Sequence, residues 1–267
     1  MKDKPKTWHY GLVAQWWAEF NGGGPEIPYF QRLIERYGQP ALDVGCGTGR
    51  LLLPYRKAGL DVDGCDISPD MLALCQRTAE REGISVNLYE QAMHELDLPR
   101  SYKTILVSGA FELSGDRHQA LDALRSFYHH LEPGGVLALD HHLLYAGDAT
   151  NIWKYWLKDE RDGLPAPWPP RGEGRRALDG SVYFMRIRTL DFDPLEQLVT
   201  YEMRVELERD GKQVAEEQYT LKDRVYFKNE LLTMLEHVGY GDIDVQGDYT
   251  DTEAAAEHGV LVFLARK

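Results

Sequence analysis

The sequence is poor in cysteine and contains no long uncharged hydrophobic run. Its 267 residues include three cysteines, Cys46, Cys65 and Cys75. An odd number without Cys-x-x-Cys spacing indicates reduced core thiols rather than disulfides or a zinc site. No run of about 18 uncharged apolar residues occurs, and the opening MKDKPKTWHY lacks the apolar segment of a signal peptide. We therefore expect a cytoplasmic protein that does not enter a membrane.

Positive charge is also scarce. Lys and Arg number 30 against 43 Asp and Glu, which gives a formal net charge of −13. Binding to duplex nucleic acid needs clustered Lys and Arg to neutralise phosphates, so a nucleic-acid partner is disfavoured and a small-molecule partner is favoured. No HExxH-type spacing occurs, and we expect no metal site. The sequence does not indicate the oligomeric state.

From residue 41 to residue 140, short apolar segments alternate with segments of helical period. The segments ALDV, DVDGCD, SVNLYE, KTILVSG and GVLALD are typical of strands, and PDMLALCQRTAERE and DRHQALDALRSFYHHL are typical of helices. Ser68 followed by Pro69 is a typical helix start. This alternation predicts βαβ units and a doubly wound, mostly parallel sheet covered on both faces.

The pattern changes after Asp140. Residues 159–180 are rich in Pro, Gly, Arg and Asp and predict a loop, and three segments with alternating polarity then predict an antiparallel sheet of about three strands. A helical segment from Lys228 and two apolar segments follow. We therefore expect a Rossmann-like core of seven strands, formed by residues 41–140 and 228–267. Residues 141–227 would form an antiparallel insertion between strands 5 and 6.

A glycine-rich turn follows the first predicted strand. It contains Gly45, Gly47 and Gly49. The dinucleotide fingerprint G-x-G-x-x-G is incomplete, because its third glycine position is occupied by Arg50. A P-loop is excluded because no Gly-Lys-Ser/Thr follows. Asp43, just before the turn, would repel a phosphate and suits a cation instead.

The segments LDVGCGTG and GCDISPDML resemble the first two motifs of the class I S-adenosylmethionine-dependent methyltransferases. The later VNLYEQAMHELDL, KTILVSGAFEL, LEPGGVLALD and KNELLTMLEHVGY occur in the order of that family. The resemblance covers roughly the first half of the chain and is strongest to the branch that methylates small molecules, in which an antiparallel insertion covers the acceptor site. It implies methyl transfer from S-adenosylmethionine to an N or O atom of a small molecule.

The resemblance also implies a set of cofactor-binding residues and an N-terminal helical lid formed by residues 1–40. The glycines would let the main chain approach the methionine part, and Asp66 would accept from both ribose hydroxyls. Ala92 departs from the family, which often has an acid there. The implied cofactor-binding residues are Tyr10, Trp17, Asp43, Gly45, Gly47, Thr48, Gly49, Asp66, Ile67, Met71, Ala92, Met93 and Ser108.

Candidate catalytic residues follow the fourth and fifth predicted strands. His141 and His142, or Glu112, could act as a general base on an acceptor hydroxyl at the ligand-binding edge of the sheet. The alternative for each histidine is a polar residue at a strand end with no catalytic role. The insertion could offer aromatic side chains to the acceptor, and the candidates are Tyr145, Trp153 and Trp168.

Two other functions stay open at this point. A NAD(P)-dependent oxidoreductase is disfavoured by Arg50 and Asp43. A non-catalytic protein that binds S-adenosylmethionine or S-adenosylhomocysteine fits the motifs equally well, because those motifs report binding and not turnover.

Overall fold

The core of the protein is a mostly parallel β-sheet. The structure, a computed structural model, describes residues 9–114, 116–143 and 152–267. The strands are β1 (Ala41–Val44), β2 (Val62–Asp66), β3 (Leu88–Glu90), β4 (Tyr102–Val107), β5 (Leu131–His142), β6 (Arg175–Arg176), β7 (Val182–Asp193), β8 (Leu198–Arg209), β9 (Lys212–Arg224), β10 (Gly241–Gly247) and β11 (Val260–Arg266). Seven of them form one sheet in the order β3-β2-β1-β4-β5-β11-β10, in which β11 runs antiparallel to both neighbours. The expected doubly wound, seven-stranded sheet is confirmed.

Helices cover both faces of this sheet. The helices are α1 (Gly11–Phe20), α2 (Glu26–Tyr37), α3 (Leu52–Lys57), α4 (Pro69–Glu82), α5 (Arg117–His130), α6 (Lys158–Arg161) and α7 (Lys228–Val238). Side chains of α2, α3 and α4 share one buried cluster, and those of α5 and α7 share the other. The expected start of α4 is confirmed, because the Ser68 side chain accepts from the Met71 amide. Within the described residues, no helix has the length and hydrophobicity needed to cross a bilayer.

The insertion forms a second, antiparallel sheet. Its four strands, in the order β6-β7-β8-β9, lie between β5 and β10 in the chain, as expected from the alternating polarity. The expectation of about three strands missed β6, which has only two residues. The segment 159–180, predicted as a loop, begins inside α6, and a 3-10 turn at Ile152–Trp156 precedes it. Such short elements leave no periodic pattern in a sequence.

Helix α1 connects the core to the insertion. The Gly11 amide donates to the Asp70 carboxylate at the start of α4 over 2.7 Å, and the Leu12 amide donates to Glu217 of β9 over 2.7 Å. These carboxylates satisfy two of the amides that a helix leaves unpaired at its N-terminus. Val13 packs against the inner face of the insertion sheet. The N-terminal segment is thereby held across both sheets.

A buried carboxylate holds together the amino-terminal part of the sheet. Asp63 of β2 is fully buried and accepts from the Arg100 guanidinium (2.9 Å), the Tyr102 hydroxyl (3.0 Å) and the Asn87 amide (2.9 Å). Arg100 also donates twice to Asp61, at 2.7 and 2.8 Å. These bonds join β2 to the segments that lead into β3 and β4. They fix the position of β2, the strand whose last residue lies in the candidate functional site.

We expect Arg100→Gln to lower the free energy of unfolding by about 2 kcal/mol, because it leaves Asp63 buried without its cation. The loss is smaller than for a fully buried pair, since Tyr102 and Asn87 continue to donate. Arg125→Gln is the matched control: its partner Asp122 is exposed, and we expect a loss below about 0.5 kcal/mol. Urea denaturation measures both values, and equal losses would contradict the assigned role of Asp63.

Candidate functional site

A cavity of about 950 Å³ opens where β1, β2, β4 and β5 end. This is the edge at which doubly wound sheets bind ligands. The volume lies within the range of small-molecule sites. Most of the sequence-predicted site residues line it: Trp17, Asp43, Gly45, Gly47, Thr48, Asp66, Ile67, Met71, Ala92, Met93, Ser108, Glu112 and His142.

The glycine turn forms the floor of the cavity. Gly45 has φ +72°, and its amide donates to the Cys65 carbonyl over 2.8 Å. A Cβ at Gly45 would lie 2.7 Å from the Cβ of Ala110, so only glycine fits between the turn and the segment after β4. Gly49 differs from its expected role, because it does not line the cavity. A Cβ there would meet the Cys75 sulfur at 2.6 Å, so this glycine allows close packing of the turn on α4.

Asp66, the last residue of β2, orients the glycine turn. Its Oδ2 accepts from the Gly47 amide at 2.9 Å and its Oδ1 accepts from the Ser68 amide at 2.8 Å. Burial raises the pKa of Asp66, and these backbone donors oppose the rise. An ionised carboxylate has about four acceptor positions, and two remain for a ligand. The geometry suits a pair of ligand hydroxyl donors.

Asp43 and Trp17 each present a buried polar atom without a partner among the described residues. Asp43 is 2% exposed, and its Oδ2 accepts no hydrogen bond. Burial, reinforced by the charges of Asp66 and Asp140, raises the pKa of Asp43 to about 8. The Trp17 Nε1 hydrogen likewise lacks an acceptor. One unpaired acceptor and one unpaired donor in the same cavity match the ammonium and carboxylate of an amino-acid moiety.

Asp140, on β5, ties together three segments around the cavity. It is fully buried and accepts from the Ser108 hydroxyl (2.6 Å), the Gly109 amide (2.6 Å) and the Tyr249 hydroxyl (2.9 Å). Ser108 is therefore already engaged in holding the segment after β4. Tyr249 lines the cavity. Sequence reasoning missed it, because it lies between β10 and β11 and no local pattern marks it.

A second missed feature is the ion pair between Arg50 and Glu26. Glu26 starts α2 and is largely buried, and both side chains line the cavity. Arg50 also donates to the Gly23 carbonyl over 3.3 Å. The pair joins the α1–α2 connection to the glycine turn. The sequence indicated only that Arg50 departs from the dinucleotide fingerprint.

The structure corrects the expected position of His141. Successive residues of a strand point to opposite faces, and only His142 lines the cavity. His141 is 3% exposed, with its Nε2 2.9 Å from the Tyr226 carbonyl oxygen. Burial lowers the pKa of His141 to about 4. His141 does not line the cavity, so we assign it no catalytic role.

Tyr10 also lies outside the cavity lining. It is buried at the start of α1. Burial, followed by the charges of Asp66, Asp70 and Glu90, raises the pKa of its hydroxyl. The neighbouring His9 lines the cavity instead, although sequence reasoning gave it no role. Burial lowers the pKa of His9 to about 4.

Two of the aromatic candidates of the insertion, Trp153 and Trp168, do not line the cavity. Trp153 is half-exposed and packs against Trp156 with ring centroids 5.0 Å apart. Trp168 packs against the guanidinium groups of Arg188 and Arg204, at 4.5 and 4.7 Å from the ring centre. Tyr145 lies outside the described residues. The insertion reaches the cavity through Leu221 and Lys222 of β9. In the described part of the chain, no three His, Cys or carboxylate side chains are grouped as metal ligands would be.

Comparison with known proteins shows which family the sequence around this site resembles. Residues 41–135 match the family described as "Methyltransferase domain". The chain is 33% identical over 109 residues to a demethylmenaquinone methyltransferase of Thermus thermophilus, an alignment covering 40% of this chain and 48% of the relative. It is 27% identical over 140 residues to a ubiquinone biosynthesis O-methyltransferase of Xanthomonas euvesicatoria, with 48% and 56% covered. The chain thus spans about half the length of these curated relatives.

Solved structures extend the similarity over nearly the whole chain. An S-adenosylmethionine-dependent methyltransferase from Clostridium acetobutylicum superposes with a TM-score of 0.70 at 16% identity, covering 91% of this chain and 90% of the other. The sugar N-methyltransferase KedS8 from Streptoalloteichus superposes with a TM-score of 0.65 at 17% identity, covering 95% and 87%. Residues 41–135 therefore match a methyltransferase domain, and the chain has the fold of the class I S-adenosylmethionine-dependent methyltransferases.

Proposed function

We propose that the protein is an S-adenosylmethionine-dependent methyltransferase that methylates an N or O atom of a small molecule. The observation that carries this proposal is the pairing of Asp43 and Asp66 around the glycine turn in one cavity. Asp66 retains acceptor positions for two hydroxyls, while Asp43 and Trp17 present the acceptor and donor that an amino-acid group needs. A ribose joined to an amino acid has both sets of groups.

Each end of the cofactor would meet a different part of the cavity. Ile67 and Met71 would flank the adenine, and the main chain at Ala92 and Met93 would meet its edge. Because Ala92 has no acid, the adenine amino group would have only main-chain acceptors there. The amino-acid end would lie beside Asp43. The proposed cofactor-binding residues that line the cavity are Trp17, Asp43, Gly45, Gly47, Thr48, Asp66, Ile67, Met71, Ala92, Met93 and Ser108.

When bound, S-adenosylmethionine supplies a methyl group on a positively charged sulfur, from which it leaves readily. The chain's own task is then to hold the acceptor in line and to keep water out. We assign the lid to residues 1–40, on the basis of α1, and the acceptor-side wall to residues 141–227. Glu112 and His142 are titratable side chains that line the cavity at the proposed acceptor end. Trp17 lines the cavity, and its aromatic face suits a cation.

The acceptor class is supported by similarity and by charge. A ubiquinone biosynthesis O-methyltransferase and a sugar N-methyltransferase are among the similar proteins. The net charge of −13 disfavours a nucleic-acid acceptor. We therefore propose a small-molecule acceptor and a cytoplasmic location.

The direct test of the proposed function is ligand preference. Titration calorimetry with S-adenosylmethionine, S-adenosylhomocysteine and NAD should show binding of the first two in preference to NAD, because Asp43 can pair with a ligand ammonium, which the pyrophosphate of NAD does not offer. Tighter binding of NAD would contradict the proposal. A donor-consumption assay over an acceptor panel then separates an enzyme from a protein that only binds the cofactor.

Asp66→Ala should weaken S-adenosylhomocysteine binding by at least about a hundredfold, because two charge-assisted hydrogen bonds of about 1.5 kcal/mol or more each are lost. Part of the loss comes from the Gly47 amide, which no longer has its acceptor. Glu90→Ala is the matched control: Glu90 ends the neighbouring strand in register with Asp66 and does not line the cavity. Calorimetry measures both, and unchanged affinity in a folded Asp66→Ala variant would place the ribose elsewhere.

Binding of S-adenosylhomocysteine should also release a proton from Asp43. With its pKa raised to about 8, this carboxyl is mostly protonated at neutral pH in the ligand-free protein. A ligand ammonium stabilises the ionised form against the neighbouring Asp66 and Asp140, so affinity should rise between about pH 6 and about pH 8. Calorimetry in buffers of different ionisation enthalpy counts the proton. The same release from an Asp43→Asn variant would assign it to another group.

A further inference from the structure

Glu112 brings a carboxyl group to the proposed acceptor end of the cavity, and a second carboxyl group lies near it on another part of the fold. Glu112 lies on the 3-10 turn Phe111–Ser114 that follows β4. This turn packs against the end of β9, as shown by the Phe111 and Tyr226 rings with centroids 5.3 Å apart. Asp223, near the end of β9, is close enough for its charge to act on Glu112. Glu112 and Asp223 are called the carboxyl pair below.

The carboxyl pair has no compensating cation within the described residues. The Glu112 Oε2 is buried and without a hydrogen-bond partner, and Glu112 lines the cavity. None of the ion pairs formed by the described residues includes Glu112 or Asp223. Burial, and then the charges of Asp223 and Asp140, raise the pKa of Glu112, and burial raises the pKa of Asp223. A buried carboxyl oxygen beside a second carboxyl of like charge needs either a shared proton or a cation.

The cationic side chains near the cavity form no ion pair with Glu112 or Asp223 among the described residues. Arg50 is paired with Glu26. Arg224 donates to the Glu196 carbonyl. Lys222 is exposed to solvent. A cation that enters the cavity as part of a ligand would therefore meet Glu112, which forms no ion pair with the described residues.

We propose that Glu112, with its charge reinforced by Asp223, binds a protonated primary or secondary amine of the methyl acceptor and removes its proton. The inference rests on the proposed function. One carboxylate accepts the proton from the ammonium, which leaves a neutral amine with a lone pair. The lone pair forms the C–N bond to the methyl carbon while the C–S bond breaks. The electron pair of the C–S bond stays on sulfur. The product is a methylated ammonium, and the carboxyl returns its proton to solvent after release.

The test compares amines with alcohols of the same skeleton on the full-length protein loaded with S-adenosylhomocysteine. The panel spans amino sugars and aryl and alkyl amines, including D-glucosamine against D-glucose and benzylamine against benzyl alcohol. Calorimetry should show that at least one amine binds and that its matched alcohol does not. Donor consumption with the same amine should produce the N-methylated product.

Glu112→Gln and Asp223→Asn should each lower amine binding and kcat/KM by at least about tenfold, while S-adenosylhomocysteine affinity stays within about threefold. Their melting temperatures should not fall, because each substitution relieves like-charge repulsion without changing side-chain shape. Glu236→Gln and Asp191→Asn remove exposed carboxylates of the same types away from the cavity and should change neither quantity.

The outcomes separate this inference from the proposed function. If no amine of the panel binds the S-adenosylhomocysteine-loaded protein, or if alcohols bind equally well, the inference is overturned and cofactor binding still stands. Unchanged amine binding in both Glu112→Gln and Asp223→Asn also overturns it. Failure of the protein to bind S-adenosylhomocysteine contradicts the proposed function itself.

Discussion

The cost of burying several carboxylates together is the constraint on which this structure depends. Strand ends and neighbouring segments bring Asp43, Asp66, Glu112, Asp140 and Asp223 toward one cavity. Where the dielectric constant is low, each needs hydrogen-bond donors, a proton or a cation. Asp66 and Asp140 receive donors from the chain itself. Asp43 and Glu112 each retain a buried oxygen without one among the described residues. The cavity is therefore surrounded by two kinds of carboxylate: those that receive hydrogen bonds from the chain, and those that suit a positively charged ligand group.

Keeping these carboxylates in place requires that the surrounding segments be fixed from outside the cavity. Asp63 holds the beginning of β2 through Arg100, so that Asp66 at the other end of the strand has a defined position. Helix α1 is held by Asp70 on the core and by Glu217 on the insertion. Acidic side chains thus have two roles in one chain: some hold the architecture by accepting from backbone amides or from arginine, and others are left available in the cavity.

Local sequence patterns predicted the parts of the site that local structure determines. The glycine turn and the end of β2 lie within the segment from Ala41 to Met71, and the alternation of strands and helices runs from Ala41 to Asp140. In both, local spacing carries the information. The Asp140–Tyr249 contact and the carboxyl pair join residues about a hundred positions apart, as sheet order and insertion packing dictate, and no local pattern encodes them. His141 and His142 show the same limit of sequence patterns. Both residues belong to β5, so their side chains point to opposite faces, and the sequence does not say which of the two faces the cavity. Gly49 was expected at the ligand and packs on Cys75, because a glycine motif does not say which of its members a ligand approaches.

The most direct measurement of the central claim is a crystal structure with S-adenosylhomocysteine bound. The account predicts both ribose hydroxyls on Asp66, the amino-acid end beside Asp43 and Trp17, and the sulfur directed toward Glu112 and the end of β9. A nucleoside away from Asp66, or a sulfur directed away from Glu112, would contradict the account.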